Sequence, residues 1–200
     1  MKLYYLKGAC SLASYISLVE SGRKFEAFAV DRATRMTSDG KSFDEISPKG
    51  YVPLLVLDDG QTLTENVAVL SYIASLNPAA KLAPPTGTLG FFRVVEALAF
   101  VNSELHKTVS ALFRPDTPEA WKAIAVENAK KRLRTFDKIL EKSPFLTGND
   151  FTVADAYLYV VLSWMPRLGI DLAPFPQVGD FFRRVDARPS VKAARQGEGL

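Results

Sequence analysis

The one cysteine of this 200-residue chain stands in Gly8-Ala9-Cys10-Ser11. A short apolar segment, Leu3 to Leu6, ends there, and Leu12, Ile16 and Val19 follow at helical spacing. A turn between a strand and a helix N-terminus leaves backbone N–H groups unpaired beside the positive end of the helix dipole, which favours a thiolate. Free cysteine titrates near about 8.5, and such a position lowers that value. Cys10 is therefore a candidate reactive thiol, with packing as a small apolar residue the alternative. Ser11 at the same turn is a second candidate nucleophile or donor, and equally a good helix cap.

Three further segments carry candidate chemistry. In Tyr51-Val52-Pro53-Leu54 a proline opens an apolar strand, where its missing N–H would break the ladder. A cis bond there would kink the chain and leave the Val52 backbone free for a peptide-like ligand; a trans proline at a strand edge is the other reading. Thr64-Glu65-Asn66 enters a helix, so its N–H groups can hold a carboxylate while Glu65 holds an ammonium, the two charges of an amino-acid head group. His106, the only histidine, borders the apolar face of a helix beside Leu105. With no second ligand nearby it makes no metal site, and none is expected in this chain.

The elements that must position these residues follow from periodicity. Residues 1–77 spell strand, helix, strand, loop, strand, strand, helix. The strands are Leu3 to Leu6, Phe25 to Val30, Tyr51 to Leu57 and Gln61 to Leu63, with Asp58-Asp59-Gly60 as the hairpin turn. Gly22 closes the first helix, residues 31–49 form a loop with one short helix, and Thr64 caps a helix beginning at Glu65. Paired prolines and a glycine mark residues 78–87 as a linker, and residues 88–200 read as all helix. Phe91, Val95, Leu98, Val101, Leu105, Val109 and Leu112 place one helix of about six turns there. Thr117-Pro118-Glu119 opens another helix, reaching toward Ser143-Pro144. Thr152 and Asp155 form a capping box ahead of the apolar run Tyr157 to Trp164, and two shorter helices lie near Val178 to Val185 and from Ser190 onward.

Composition narrows the function classes. The chain is 48% hydrophobic and 24% charged, with 25 basic and 22 acidic residues interspersed, so neither nucleic acid nor a membrane is an expected partner. A single cysteine excludes an intrachain disulfide and suits a reducing compartment. The start, Met1 to Lys7, is apolar for too short a stretch to be a signal-peptide core, and the expected location is the cytoplasm.

Taken together these segments resemble the glutathione transferases, and Gly8-Ala9-Cys10-Ser11-Leu12 with Glu104-Leu105-His106-Lys107 is similar to the bacterial beta class. The resemblance spans essentially the whole chain. It implies an α/β thioredoxin-like N-terminal domain and an all-α C-terminal domain, with glutathione as co-substrate and no metal. Val52-Pro53 and Glu65-Asn66 would bind glutathione, and Cys10, with Ser11, would face its sulfur. His106, Lys107 and Trp164 would approach from the helical domain, and Arg35 would supply a cation to the glycyl carboxylate. The resemblance also implies a homodimer, with Asn102 or Ser103 reaching the partner's site in place of Ala99. The expected activity is conjugation of glutathione to electrophilic, largely apolar small molecules, as in detoxification, with Trp164 and Phe113 near the acceptor. Two alternatives stand beside it: glutathione-dependent thiol-disulfide exchange, reduction or dehalogenation through Cys10, and a non-catalytic binding protein on the same fold.

Overall fold

A computed structural model describes residues 1–200. The first element, β1 (Lys2–Tyr5), splits its side chains between two faces, as a strand must. Leu3 enters the main core, while Tyr4 joins Val30, Phe43 and Leu54 in a small cluster on the other side. Helix α1 (Ser11–Ser21) follows and ends at Gly22, whose φ of 68° is the left-handed conformation a helix C-terminus takes most easily with glycine. Strand β2 (Glu26–Ala29) then pairs parallel to β1, Leu3 against Ala27. Only a short helix, α2 (Phe43–Ile46), interrupts the polar stretch that follows.

Strands β3 (Leu54–Val56) and β4 (Thr62–Thr64) complete a four-stranded sheet in the order β2-β1-β3-β4. Both β1–β3 and β3–β4 run antiparallel, with Leu55 opposite Leu3 on one side and Leu63 on the other. β3 starts three residues later than the apolar pattern of Tyr51 to Leu57 suggests, because the Val52-Pro53 bond is cis and the chain joins the ladder only beyond it. The helix that follows, α3 (Asn66–Leu76), begins one residue later than expected. Glu65, not Thr64, holds the N-cap position, and it makes no side-chain cap bond.

Beyond a single tight turn at Pro78–Ala80 the regular elements are all helices. The expected six-turn helix is present in pieces: α4 (Leu89–Phe100), a π-helical stretch Val101–His106, α5 (Lys107–Ser110) and a last tight turn Ala111–Phe113. Val94, Leu98, Val101, Leu105 and Val109 form its buried stripe. Helix α6 (Glu119–Leu140) follows, with Pro118 just ahead of its first turn; Thr117 donates its hydroxyl to Ala111 rather than capping the helix.

Helix α7 (Val153–Leu162) is buried along its whole length. Its start is fixed by the Asp155 carboxylate, which accepts from the Thr152 N–H and hydroxyl at 2.8 Å each and from the Leu146 N–H at 2.8 Å. Helices α8 (Pro176–Asp186) and α9 (Pro189–Glu198) close the chain, and α9 packs back onto α1.

One core therefore runs through both halves, joining Leu12, Ile16, Leu55 and Ile73 to Leu98, Leu105, Tyr157 and Leu158. Each fully buried aliphatic side chain among them contributes about 1.5–3 kcal/mol relative to exposure. No helix is long and apolar enough to cross a membrane.

Candidate active site

Gly8, at φ 68°, turns the chain out of β1 so that Cys10 lands at the N-cap of α1. The Cys10 thiol donates to the Val52 carbonyl at 3.6 Å. Burial pushes this thiol up to about 12, and the backbone N–H groups of Cys10 and Ser11 pull it back only in part. Of the nearby charges, Lys107 lowers the value and Glu65 raises it. The two influences on the half-buried Cys10 thus oppose one another: the helix N-terminus supplies donors that favour a thiolate, and desolvation disfavours it. Ser11 is corrected. Its side chain is fully buried, and the hydroxyl bonds the N–H and C=O of Leu6 at 3.2 and 3.3 Å, so it staples the turn and does not face the cleft as a nucleophile.

Opposite Cys10 lies a free length of backbone. The Val52 N–H has no partner within the chain, and its carbonyl accepts only the thiol. At the start of α3 the N–H groups of Asn66, Val67 and Ala68 are likewise unpaired, as the first turn of a helix leaves them. Glu65 just ahead of them sits at φ 69°, ψ 120°, a costly conformation for a residue with a Cβ. Its carboxylate is exposed and lies 3.4 Å from Lys49. The Asn66 side chain turns inward, donating to the Cys10 carbonyl at 2.9 Å and accepting from Ser14 at 3.0 Å, so that it ties α3 to the Cys10 turn. Arg35 is engaged nearby: Nη2 bonds Asp44 and the Gly50 carbonyl at 2.7 Å each, Nε also reaches Asp44, and only Nη1 is unbonded.

The facing wall comes from the helical half. The π-helical stretch ends at His106, whose Nδ1 lies 2.6 Å from the hydroxyl of Tyr157. The Tyr157 hydroxyl also lies 2.9 Å from Asn102 Oδ1, and when its one proton goes to Asn102 the phenol oxygen accepts from His106 Nδ1–H. Nε2 then keeps its lone pair. Burial, with Lys107 adding to it, lowers His106 to about 4, and the imidazole is neutral at physiological pH. Trp164 stacks edgewise at 5.0 Å from His106 and donates its Nε1–H to the Gly8 carbonyl at 2.9 Å, which joins the two walls. Phe113, partly exposed, packs edgewise on Trp164. Lys107 is exposed beside this wall, whereas Ser103 lies on the outer face of the helix with its hydroxyl on the Ala99 carbonyl.

Comparison with known proteins gives the family. Residues 100–189 match the family described as glutathione S-transferase, C-terminal domain. The glutathione S-transferase GstA of Escherichia coli O157:H7 is 40% identical over the full length of both chains. The chain belongs to the glutathione S-transferase family. A sphingomonad glutathione S-transferase solved with glutathione has 48% identity and a TM-score of 0.97, and a beta class enzyme from Sphingomonas chungbukensis has 45% identity and 0.96, each covering both chains completely.

In this glutathione transferase Cys10 touches Val52 through its thiol and Asn66 through its carbonyl, and the His106–Trp164 pair reaches the same turn through the Gly8 carbonyl. The Ser11 and Ser103 hydroxyls are tied to backbone within their own segments, on Leu6 and Ala99. Tyr157 and Ser14 carry part of the hydrogen bonding, and the sequence names neither as a site residue. Tyr157 opens an apolar run and reads as core; the only signal is that a buried phenol needs a partner, and Asn102 and His106 are the polar residues on the adjoining helix.

Proposed function

We propose that glutathione lies along the free Val52 edge, its cysteinyl backbone bonded to the Val52 N–H and C=O as an added strand would be. Its γ-glutamyl carboxylate meets the unpaired N–H groups of Asn66 and Val67 at the positive end of α3, and its ammonium meets Glu65. The glycyl carboxylate points toward Arg35 Nη1 and Lys107. The sulfur then faces Cys10 and His106 Nε2. A neutral imidazole lone pair and a protonated Cys10 thiol suit two parts of one step: Nε2 accepts from the glutathione S–H, and the Cys10 S–H steadies the sulfur as it gains charge and attacks an electrophile.

The observation that carries this reading is the pairing of a thiol with an unpaired stretch of strand backbone 3.6 Å away. It favours conjugation over thiol exchange, because exchange needs a Cys10 thiolate and burial opposes one. Phe113, exposed and packed edgewise on the buried Trp164, offers an aromatic surface to an apolar acceptor, and the exposed Leu89 and Phe92 of α4 offer one to a second copy of the chain. Incubation with glutathione and a chlorodinitrobenzene is expected to yield the thioether. Failure to consume glutathione with a panel of aryl halides, epoxides and enals would overturn the proposal.

A further inference from the structure

Just beyond the buried Trp164 the chain enters the tight turn Pro166–Leu168, which Gly169 closes at φ 69°. Met165 and Ile170 flank it, both buried, and the Ile170 N–H donates to the Met165 carbonyl at 3.0 Å, so the turn is fixed to the core while Arg167 at its tip is exposed. The tight turn Ala111–Phe113 meets it from the end of α5. That turn is held by the Thr117 hydroxyl and the Arg114 N–H, which both donate to the Ala111 carbonyl.

The two turns touch through their side chains. The Arg167 guanidinium lies over the Phe113 ring, Cζ 6.0 Å from its centroid, and Phe113 stands edgewise on Trp164 at 5.7 Å. Since Trp164 packs on His106 and donates to the Gly8 carbonyl, a line of contacts runs from the Cys10 turn across two aromatic rings to a guanidinium. Other arginines also stack on phenylalanine, but their N–H groups are taken up within the chain: Arg35 by Asp44, Arg184 by the Pro144 carbonyl and Arg188 by Glu20. Arg167 belongs to no ion pair, and neither does the exposed Arg114 beside Phe113 or Asp116, the one acid of that loop. Stacking on a ring holds a guanidinium in place without spending its donors, and its planar fork fits a carboxylate through two parallel bonds.

We propose that Arg167 is a specificity-determining residue that selects electrophiles bearing a carboxylate. The acceptor ring lies against Phe113 with its reacting carbon toward Cys10, and its carboxylate rests on the Arg167 fork, with the Arg114 charge beside it. This substrate class rests on the glutathione-site reading above. With an aryl halide the glutathione sulfur forms the C–S bond, the halide leaves with the bonding pair, the thiol proton passes to solvent and the carboxylate is unchanged.

The test compares kcat/KM for a chlorodinitrobenzoate and for its methyl ester. The benzoate-to-ester ratio is compared between proteins, so the intrinsic reactivity of each compound cancels. In Arg167→Gln the ratio is expected to fall about tenfold, with part of it recovered in Arg167→Lys, since a lysine restores the charge but not the fork. Added salt should lower the wild-type ratio and barely move that of Arg167→Gln. Arg167 is exposed, so neither substitution is expected to unfold the chain. Turnover of both compounds with the same ratio in wild type and Arg167→Gln would overturn the proposal and leave the glutathione reading standing. A wild type that consumed glutathione with neither compound would remove that reading, and binding would then decide the inference: ligand-observed NMR of nitrobenzoate is expected to show affinity several-fold weaker in Arg167→Gln, and equal affinity would overturn it.

Discussion

Trp164 Nε1 donates to the carbonyl of Gly8 at 2.9 Å, a bond between residues 156 positions apart that fixes the helical wall of the cleft to the turn carrying Cys10. Trp164→Phe keeps most of the ring packing against His106 and Phe113 and removes only this donor. The loss is expected to cost about 1–3 kcal/mol of stability, since the Gly8 carbonyl is left without its partner. Thermal melting and the KM for glutathione, raised several-fold, are the measurements.

Tyr157→Phe tests the hydrogen-bond chain from Asn102 to His106. Removing the hydroxyl leaves Asn102 Oδ1 and His106 Nδ1–H unpaired, for about 1–3 kcal/mol of stability, and frees the imidazole to change tautomer. A fall in kcat of about tenfold corresponds to about 1.4 kcal/mol of lost transition-state stabilisation. Nitrogen NMR of the His106 ring is expected to show the proton on Nδ1 in wild type and a mixture in the variant.

His106 also fixes a pH dependence. Its folded value, about 4, lies below the ordinary 6.5, so the unfolded ring takes up a proton first as pH falls. The stability it contributes is complete above 6.5 and is lost as pH drops toward 4. Asp155 and Glu198 run the opposite way, because burial raises them to about 6 and about 7, and their share is present at low pH and lost as pH rises. The His106 effect must therefore be read as a difference: the stability gap between wild type and His106→Gln is expected to shrink between pH 6.5 and 4. A constant gap would contradict it.

Burial of the Cys10 thiol makes a fourth expectation. At neutral pH it should react with iodoacetamide far more slowly than free glutathione does, with the rate still climbing at the highest accessible pH. Cys10→Ser, which keeps a donor, is expected to retain conjugation within about tenfold, whereas a nucleophilic role would abolish activity.

Local signals were legible in the sequence where one residue type has one physical use. Gly22 closes α1, Asp58-Asp59-Gly60 turns the hairpin, and the Asp155 carboxylate fixes the start of α7. Long-range choices were not. Ser11 reads the same whether its hydroxyl faces the cleft or Leu6, and only the packed turn decides. The helix around His106 keeps an apolar period that fits an unbroken α-helix, yet Val101–His106 widen into a π-helical stretch. Tyr157 and Glu198 resemble a core aromatic and a tail charge until the Asn102 and Gly8 partners are seen. Cys10 shows the same division: the helix N-terminus that favours a thiolate is local and visible, whereas the desolvation that opposes one comes from tertiary packing.

Titration calorimetry with glutathione, on wild type and on Glu65→Gln, tests the central claim most directly. Saturable binding of one glutathione per chain is expected, weakened about tenfold when the Glu65 charge is removed, which is about 1.4 kcal/mol. No binding to the wild type, or undiminished binding to Glu65→Gln, would contradict the placement of glutathione between Glu65 and Cys10.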